Sequence, residues 1–131
     1  MGWESYPQGL FDLLQRIKKE YDPRSIFITE NGASYPDKLT ANKQILDERR
    51  IAFLHAHLAE LHRAIECGVP VSGYFLWSLM DNFEWERGYS QRFGIVWVDY
   101  LTQERILKQS AHWYKNVIAT HALPDGATPP G

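Results

Sequence analysis

The sequence predicts an α/β fold centred on a parallel strand–helix–strand unit, on three observations. Ser25 to Thr29, S-I-F-I-T, is a β-branched and aromatic run that closes on Glu30 and breaks at Asn31-Gly32. Val71 to Ser78, V-S-G-Y-F-L-W-S, is apolar at nearly every position, the pattern of a strand covered on both faces. Between them Ile51, Leu54, Leu58, Leu61 and Ile65 recur every three or four residues. A helix in that connection makes the two strands parallel, with a right-handed crossover.

Taken in order, Pro7 to Tyr21 carries Leu10, Leu13, Leu14, Ile17 and Tyr21 at helical spacing, with Pro7 in the first turn and Asp22-Pro23 ending the helix. After the first strand, a polar loop from Asn31 to about Asn42 holds Gly32, Pro36 and Asp37; loops of that length are commonly functional. The connecting helix is expected over Leu46 to Cys67, stopped by Gly68 and Pro70, with Arg49, Arg50, His57, Glu60, Arg63 and Glu66 on its polar face. Beyond the second strand lies an aromatic and acidic loop, Leu79 to Arg92. A peripheral hairpin follows, with strands over Phe93 to Tyr100 and Glu104 to Lys108 around a turn at Leu101 to Gln103. Ser110 is expected to cap a last helix to about Thr120 that buries Trp113, Tyr114, Val117 and Ile118. Residues 1–122 are thus read as one structured segment and 123–131, L-P-D-G-A-T-P-P-G, as an unstructured tail. Two central-type strands with no further neighbours leave both sheet edges open, so the unit calls for more strands.

Composition narrows the function. A net charge of −2 over 131 residues gives no electrostatic footprint for nucleic acid, and no apolar run of membrane-spanning length exists, so neither nucleic acid nor membrane is an expected partner. Cys67 is the only cysteine, which forbids an internal disulfide and suits a reducing compartment; with no basic-then-apolar N-terminal segment, a cytoplasmic location is expected. His55, His57 and His62 crowd one helix. His55 and His62 share a face but stand roughly 10 Å apart along the axis, so no single ion bridges them. No metal site and no cofactor are expected.

The carboxyl ends of both strands face the same side of the sheet, where parallel α/β proteins place their chemistry. They present Glu30 after the first strand and Trp77 with Glu84-Trp85 after the second. Flat indoles stack on the apolar faces of a pyranose ring, and carboxylates accept from its hydroxyls, so the pattern points to carbohydrate. Trp97 and Trp113 lie at periodic positions and read as core. On the residues alone, Glu30 and Glu84 are the natural acid and nucleophile pair of a glycosidase.

The motifs I-T-E-N-G at Ile28 to Gly32 and G-Y-F-L-W-S-L-M-D-N-F-E-W at Gly73 to Trp85 resemble the two signatures of glycoside hydrolase family 1. The resemblance continues through G-Y-S-Q-R-F-G-I-V-W-V-D-Y at Gly88 to Tyr100, S-A-H-W-Y at Ser110 to Tyr114 and G-W-E-S-Y-P at Gly2 to Pro7. It implies the C-terminal part of a (β/α)8 TIM barrel, the fold of retaining β-glycosidases that are mostly β-glucosidases. It implies Glu30 as the nucleophile at the end of the seventh strand, Trp77 as a stacking floor, Trp85 as a hydroxyl donor and Phe93 as pocket lining. It also recasts Glu84, which then binds glycone hydroxyls and favours unphosphorylated sugars, since a carboxylate there repels phosphate.

The family's acid/base glutamate sits in an Asn-Glu-Pro motif, and no such tripeptide occurs in these 131 residues. The isolated chain is therefore expected to be inactive, its partners being a β-glucoside or oligosaccharide substrate in the complete enzyme and the N-terminal barrel part. The alternative is a structural fragment that closes its open edges with sister chains as a homo-oligomer, with at most weak sugar binding.

Overall fold

The computed structural model describes residues 2–124. Helix α1 (Pro7–Tyr21) leads into strand β1 (Ile26–Asn31), helix α2 (Glu48–Glu66) crosses over to strand β2 (Val71–Leu76), and a short hairpin of β3 (Val96–Val98) and β4 (Arg105–Leu107) precedes helix α3 (Gln109–Thr120). Strands β1 and β2 pair in parallel, with Ile28 opposite Tyr74; β3 and β4 pair antiparallel, with Trp97 opposite Ile106. The strand–helix–strand unit stands as the sequence predicts, and the hairpin is present, but its strands shrink to Val96–Val98 and Arg105–Leu107 within the longer expected runs. Of the expected tail, residues 125–131 lie outside the described residues.

The helices stop for visible reasons. Asp22 takes a left-handed conformation after α1, its N–H on the Lys18 carbonyl, and Pro23 forbids continuation. At the end of α2, Gly68 adopts a positive φ of 80°, which brings its N–H onto Ile65 and the Val69 N–H onto Ala64. This pair of bonds is a Schellman ending, and Lys18 Nζ donates to the Cys67 carbonyl beside it. The turn also delivers Val69 into the core formed by Leu14 of α1 with Leu61 and Ala64 of α2, against which Ile26, Ile28, Val71 and Tyr74 pack from the sheet.

Four expectations are corrected. First, the strands are not covered on both faces: Phe27 and Phe75 are 57% and 58% exposed, because the described residues place helices on one side of the sheet only. Second, α2 begins at Glu48, with Leu46 exposed and Asp47 at the cap position. Third, Arg50 and His57 leave the solvated face they were assigned; Arg50 is 1% exposed and His57 6%. Fourth, Ser110 does not cap α3. Lys108 holds that position, and Ser110 donates through N–H and hydroxyl to Asp47 at 2.8 and 2.5 Å. The helices form where the spacing places them, but their stripes are only partly covered, with Leu13, Tyr21 and Ile118 more than half exposed where burial was expected, and the partners that bury the polar groups come from distant segments.

His57 lies stacked on Phe53 with ring centroids 3.9 Å apart, and its Nδ1 meets the Phe53 carbonyl at 2.8 Å. Burial holds the imidazole below its ordinary 6.5, against the opposing pull of that carbonyl. The unfolded chain therefore takes up this proton more readily than the folded one. Its effect on stability is absent above about pH 6.5 and becomes a penalty as pH falls from there through the depressed folded value. Urea unfolding at pH 7.5 and 5 should show an acid-side loss that His57→Gln reduces; an unchanged slope in the variant would contradict this assignment.

Candidate functional site

The site forms where the two strands end. Glu30 is the penultimate residue of β1, and Asn31 closes the strand with its carbonyl accepting the Trp77 N–H at 3.0 Å and its side-chain oxygen accepting the Tyr74 hydroxyl at 2.8 Å. Burial pushes the Tyr74 phenol well above its ordinary range, so it remains a donor. These two bonds tie the end of β1 to the end of β2. Gly32 comes next, and a Cβ on it would lie 1.7 Å from the Trp77 carbonyl oxygen. Only glycine lets the backbones pass so closely.

The loop after β2 folds back on itself. Ser78 donates to the Phe93 carbonyl at 3.3 Å and accepts through its own carbonyl from Ile95 at 3.0 Å. Gly94 lies against this crossing, since a Cβ there would meet the Asp81 nitrogen at 2.2 Å. Asp81, 4% exposed, accepts from the Gly94 N–H at 3.0 Å and from Arg92 Nη1 at 2.5 Å, thereby gripping both neighbours of Phe93. Farther out, Glu84 and Gly88 close a tight loop, with Glu84 N–H on the Gly88 carbonyl at 2.7 Å and Arg87 N–H on the Glu84 carbonyl at 2.8 Å. Trp85 begins the 3-10 turn inside it at a positive φ of 46° and is 85% exposed.

All five residues expected from the sequence converge. Glu30, Trp77, Glu84, Trp85 and Phe93 line one cavity of about 380 Å³ together with Trp3, Asn31 and Gly32. Trp77 Nε1 donates to Glu84 Oε1 at 3.3 Å, so the indole plane and the carboxylate are oriented by each other. Phe93 lines the cavity as a buried ring, with the Trp3 ring centroid 6.3 Å away. Two carboxylates, three indoles and a phenyl ring around one open cavity provide stacking planes and hydroxyl acceptors for a ring of sugar size.

Trp3 escaped a site assignment because it precedes the first helix with no local pattern of its own. The Gly2-Trp3-Glu4 stretch within the family-like run was the available signal. Trp97 is buried, as expected, under the Arg92 guanidinium. Among the described residues, no cluster of three or more histidine, cysteine or acidic side chains is placed to hold a metal, and no helix is long and apolar enough to cross a membrane.

A family model described as Glycosyl hydrolase family 1 matches residues 1–123. The chain belongs to glycosyl hydrolase family 1. A 1,4-beta-D-glucan glucohydrolase of Thermotoga neapolitana is 52% identical over 125 residues, and Beta-glucosidase A of Thermotoga maritima is 50% identical over 125; each match covers 95% of this chain. The solved family 1 β-glucosidase of Thermotoga maritima superposes with a TM-score of 0.94 at 50% identity, and the same enzyme in complex with isofagomine lactam with 0.93. The family 1 segment described here spans only 28% of the length of these relatives. Its fold is a segment of their (β/α)8 barrel, as the resemblance implied.

The close approach at Gly32 yields a direct prediction. Gly32→Ala forces the Trp77 main chain away from β1, at a cost of about 1–3 kcal/mol or more for overpacking. Hydrogen exchange at the Trp77 amide should accelerate sharply in the variant while amides in the middle of α2 change only with global stability. Unaltered protection at Trp77 would show that the two backbones do not meet there.

Proposed function

We propose that the chain is the C-terminal part of a retaining β-glucosidase, residues 1–122 forming its barrel segment, and that it acts on terminal unphosphorylated β-D-glycosides. The observation that carries this reading is the single cavity shared by Glu30, Trp77, Glu84, Trp85 and Phe93; the glucan glucohydrolase and β-glucosidase relatives agree with it. In this reading Glu30 attacks the anomeric carbon and forms a glycosyl-enzyme, which water then hydrolyses. Trp77 supplies the plane on which the sugar stacks, and Glu84, oriented by the Trp77 indole, accepts from glycone hydroxyls. Trp85 adds a donor at the rim, and Phe93 excludes water beneath the ring. The open, non-basic cavity suits a neutral sugar, and the carboxylate of Glu84 opposes a phosphorylated one. A cytoplasmic location fits the one exposed thiol, Cys67.

A retaining mechanism needs a second carboxyl group about 5 Å from the nucleophile to protonate the leaving oxygen. With no Asn-Glu-Pro in the sequence, that group comes from the remainder of the barrel. The element count favours a barrel complement over sister chains. The described residues provide two parallel strands but three helices. Four copies would supply eight strands with twelve helices, whereas the barrel seats one helix per strand, about eight in all. A complement of six strands and five helices fits; copies of this chain crowd every seam.

Purified chain alone should leave an aryl β-glucoside intact. Mixed with the N-terminal portion of Thermotoga maritima Beta-glucosidase A that precedes the matched segment, it should hydrolyse the glucoside, and Glu30→Gln should return the mixture to background. Turnover by the chain alone at a rate near that of an intact relative would overturn the reading.

A further inference from the structure

Six charged side chains, three of each sign, run through the interior in strict alternation: Asp47, Arg50, Asp37, Lys108, Asp81, Arg92. Arg50 reaches Asp47 at 2.5 Å and Asp37 at 2.8 Å; Lys108 Nζ reaches Asp37 at 2.5 Å and Asp81 at 2.8 Å; Arg92 reaches Asp81 at 2.5 Å. The Lys108 side chain is 0% exposed. Its two carboxylates come from different places: Asp37 from the loop that leaves β1 seven residues after Glu30, and Asp81 from the loop that leaves β2 four residues after Trp77.

We propose that Lys108 is a positioning residue of the sugar site, its ammonium clamping the β1 loop to the β2 loop so that Glu30 keeps a fixed place against Trp77, Glu84 and Phe93. The proposal rests on the site assigned above but not on its catalysis. Asp81 is the effective lever, because its other bonds hold Arg92 and Gly94 on either side of Phe93, whose carbonyl in turn holds the Ser78 N–H beside Trp77. Asp37 is the matching lever on the other loop, where Tyr35 N–H also rests on the Arg92 carbonyl at 3.3 Å. A long cation in the middle satisfies both carboxylates at once, which no neutral side chain of similar length can do.

Removing the ammonium leaves Asp37 and Asp81 facing one another. The groups around them are Arg50 and Asp47 from the start of α2, Arg92 and Tyr100 from the hairpin side, Tyr35 from the β1 loop, and Ser110, bonded to Asp47, from α3. One negative charge is then uncompensated, and like charges in a buried site raise the pKa of one partner. A proton taken up at low pH should bridge the two carboxylates and restore the clamp in part.

The test uses the full 131-residue chain, 15N-labelled, with indole signals assigned by single Trp→Phe substitutions. In Lys108→Met at pH 8 the Trp77 and Trp85 indole signals should shift and broaden while Trp113 on α3 stays in place, and at pH 5 they should move back toward those of the unsubstituted chain. The double variant D37A/K108M is charge-balanced and leaves no donor at position 37, so it should fold, yet its site indoles should be displaced equally at both pH values, because the charge is neutralised but the clamp is absent. Site indoles superimposable on those of the unsubstituted chain in either folded variant would overturn the proposal. So would two variants that fail to fold at either pH, since Lys108 would then hold the fold as a whole. Neither readout depends on glycoside hydrolysis, so failure of the glucosidase reading remains a separate result.

Discussion

The structure depends on the buried alternation of charge from Asp47 to Arg92. Burying an unpaired ion costs several kcal/mol, so a buried charge is tolerated only when neighbours of opposite sign and hydrogen-bond donors surround it. Here backbone donors complete the pairing: Ser110 N–H on Asp47, and Gly94 and Val98 N–H on Asp81. The two types of cation respond differently. Burial pulls Arg50 down, but its bonds to Asp37 and the charges of Asp37 and Asp47 overcome this and hold it above its usual value. For Lys108, burial together with the nearby Arg50 charge outweighs Asp37 and Asp81, and its pKa falls. Such networks contribute less net stability than apolar packing, but they accept one geometry only. This one joins the β1 loop, the start of α2, the β2 loop, the hairpin and the start of α3.

With those five segments anchored, the site is a consequence of two close passages of backbone. At Gly32 the chain leaving β1 slides against Trp77, and at Gly94 the hairpin slides against Met80 and Asp81. The first passage sets Glu30 beside Trp77, and the second folds the loop after β2 back so that Phe93 lines the same cavity as Glu84. Among the described residues nothing covers the opposite face of the sheet, where Phe27 lies over Gly73 and is exposed beside Phe75. Exposed aromatic rings on a two-stranded sheet are what a barrel interior looks like when the strands opposite it are absent.

Most of the fold was legible because it is written in local pattern. Helical periodicity and the Asp22-Pro23 and Gly68-Pro70 stops need no knowledge of distant residues. The site was legible for a related reason: strand ends concentrate chemistry, and Glu30, Trp77 and Glu84 stand at strand ends or just beyond. What local pattern conceals is long-range pairing. Arg50 and His57 fall on the polar stripe of α2 by spacing, and nothing nearby announces that Asp37 arrives to bury the one or that packing covers the other. Lys108 and Asp37 are 71 residues apart. Ser110 has the right residue type to cap a helix, but Asp47 claims its hydroxyl first. The expectation of strands covered on both faces failed for a different reason: the hydrophobicity of β2 is suited to a complete barrel, of which this chain is one segment.

The proposed nucleophile, Glu30, is probed by intact-mass and peptide analysis of the chain after reaction with a 2-deoxy-2-fluoro-β-glucoside bearing a good leaving group, in the presence of the complementary barrel portion. One fluoroglucosyl group per chain is expected, attached to the peptide containing Glu30. Label on Glu84, or label elsewhere with Glu30 unmodified, would contradict it.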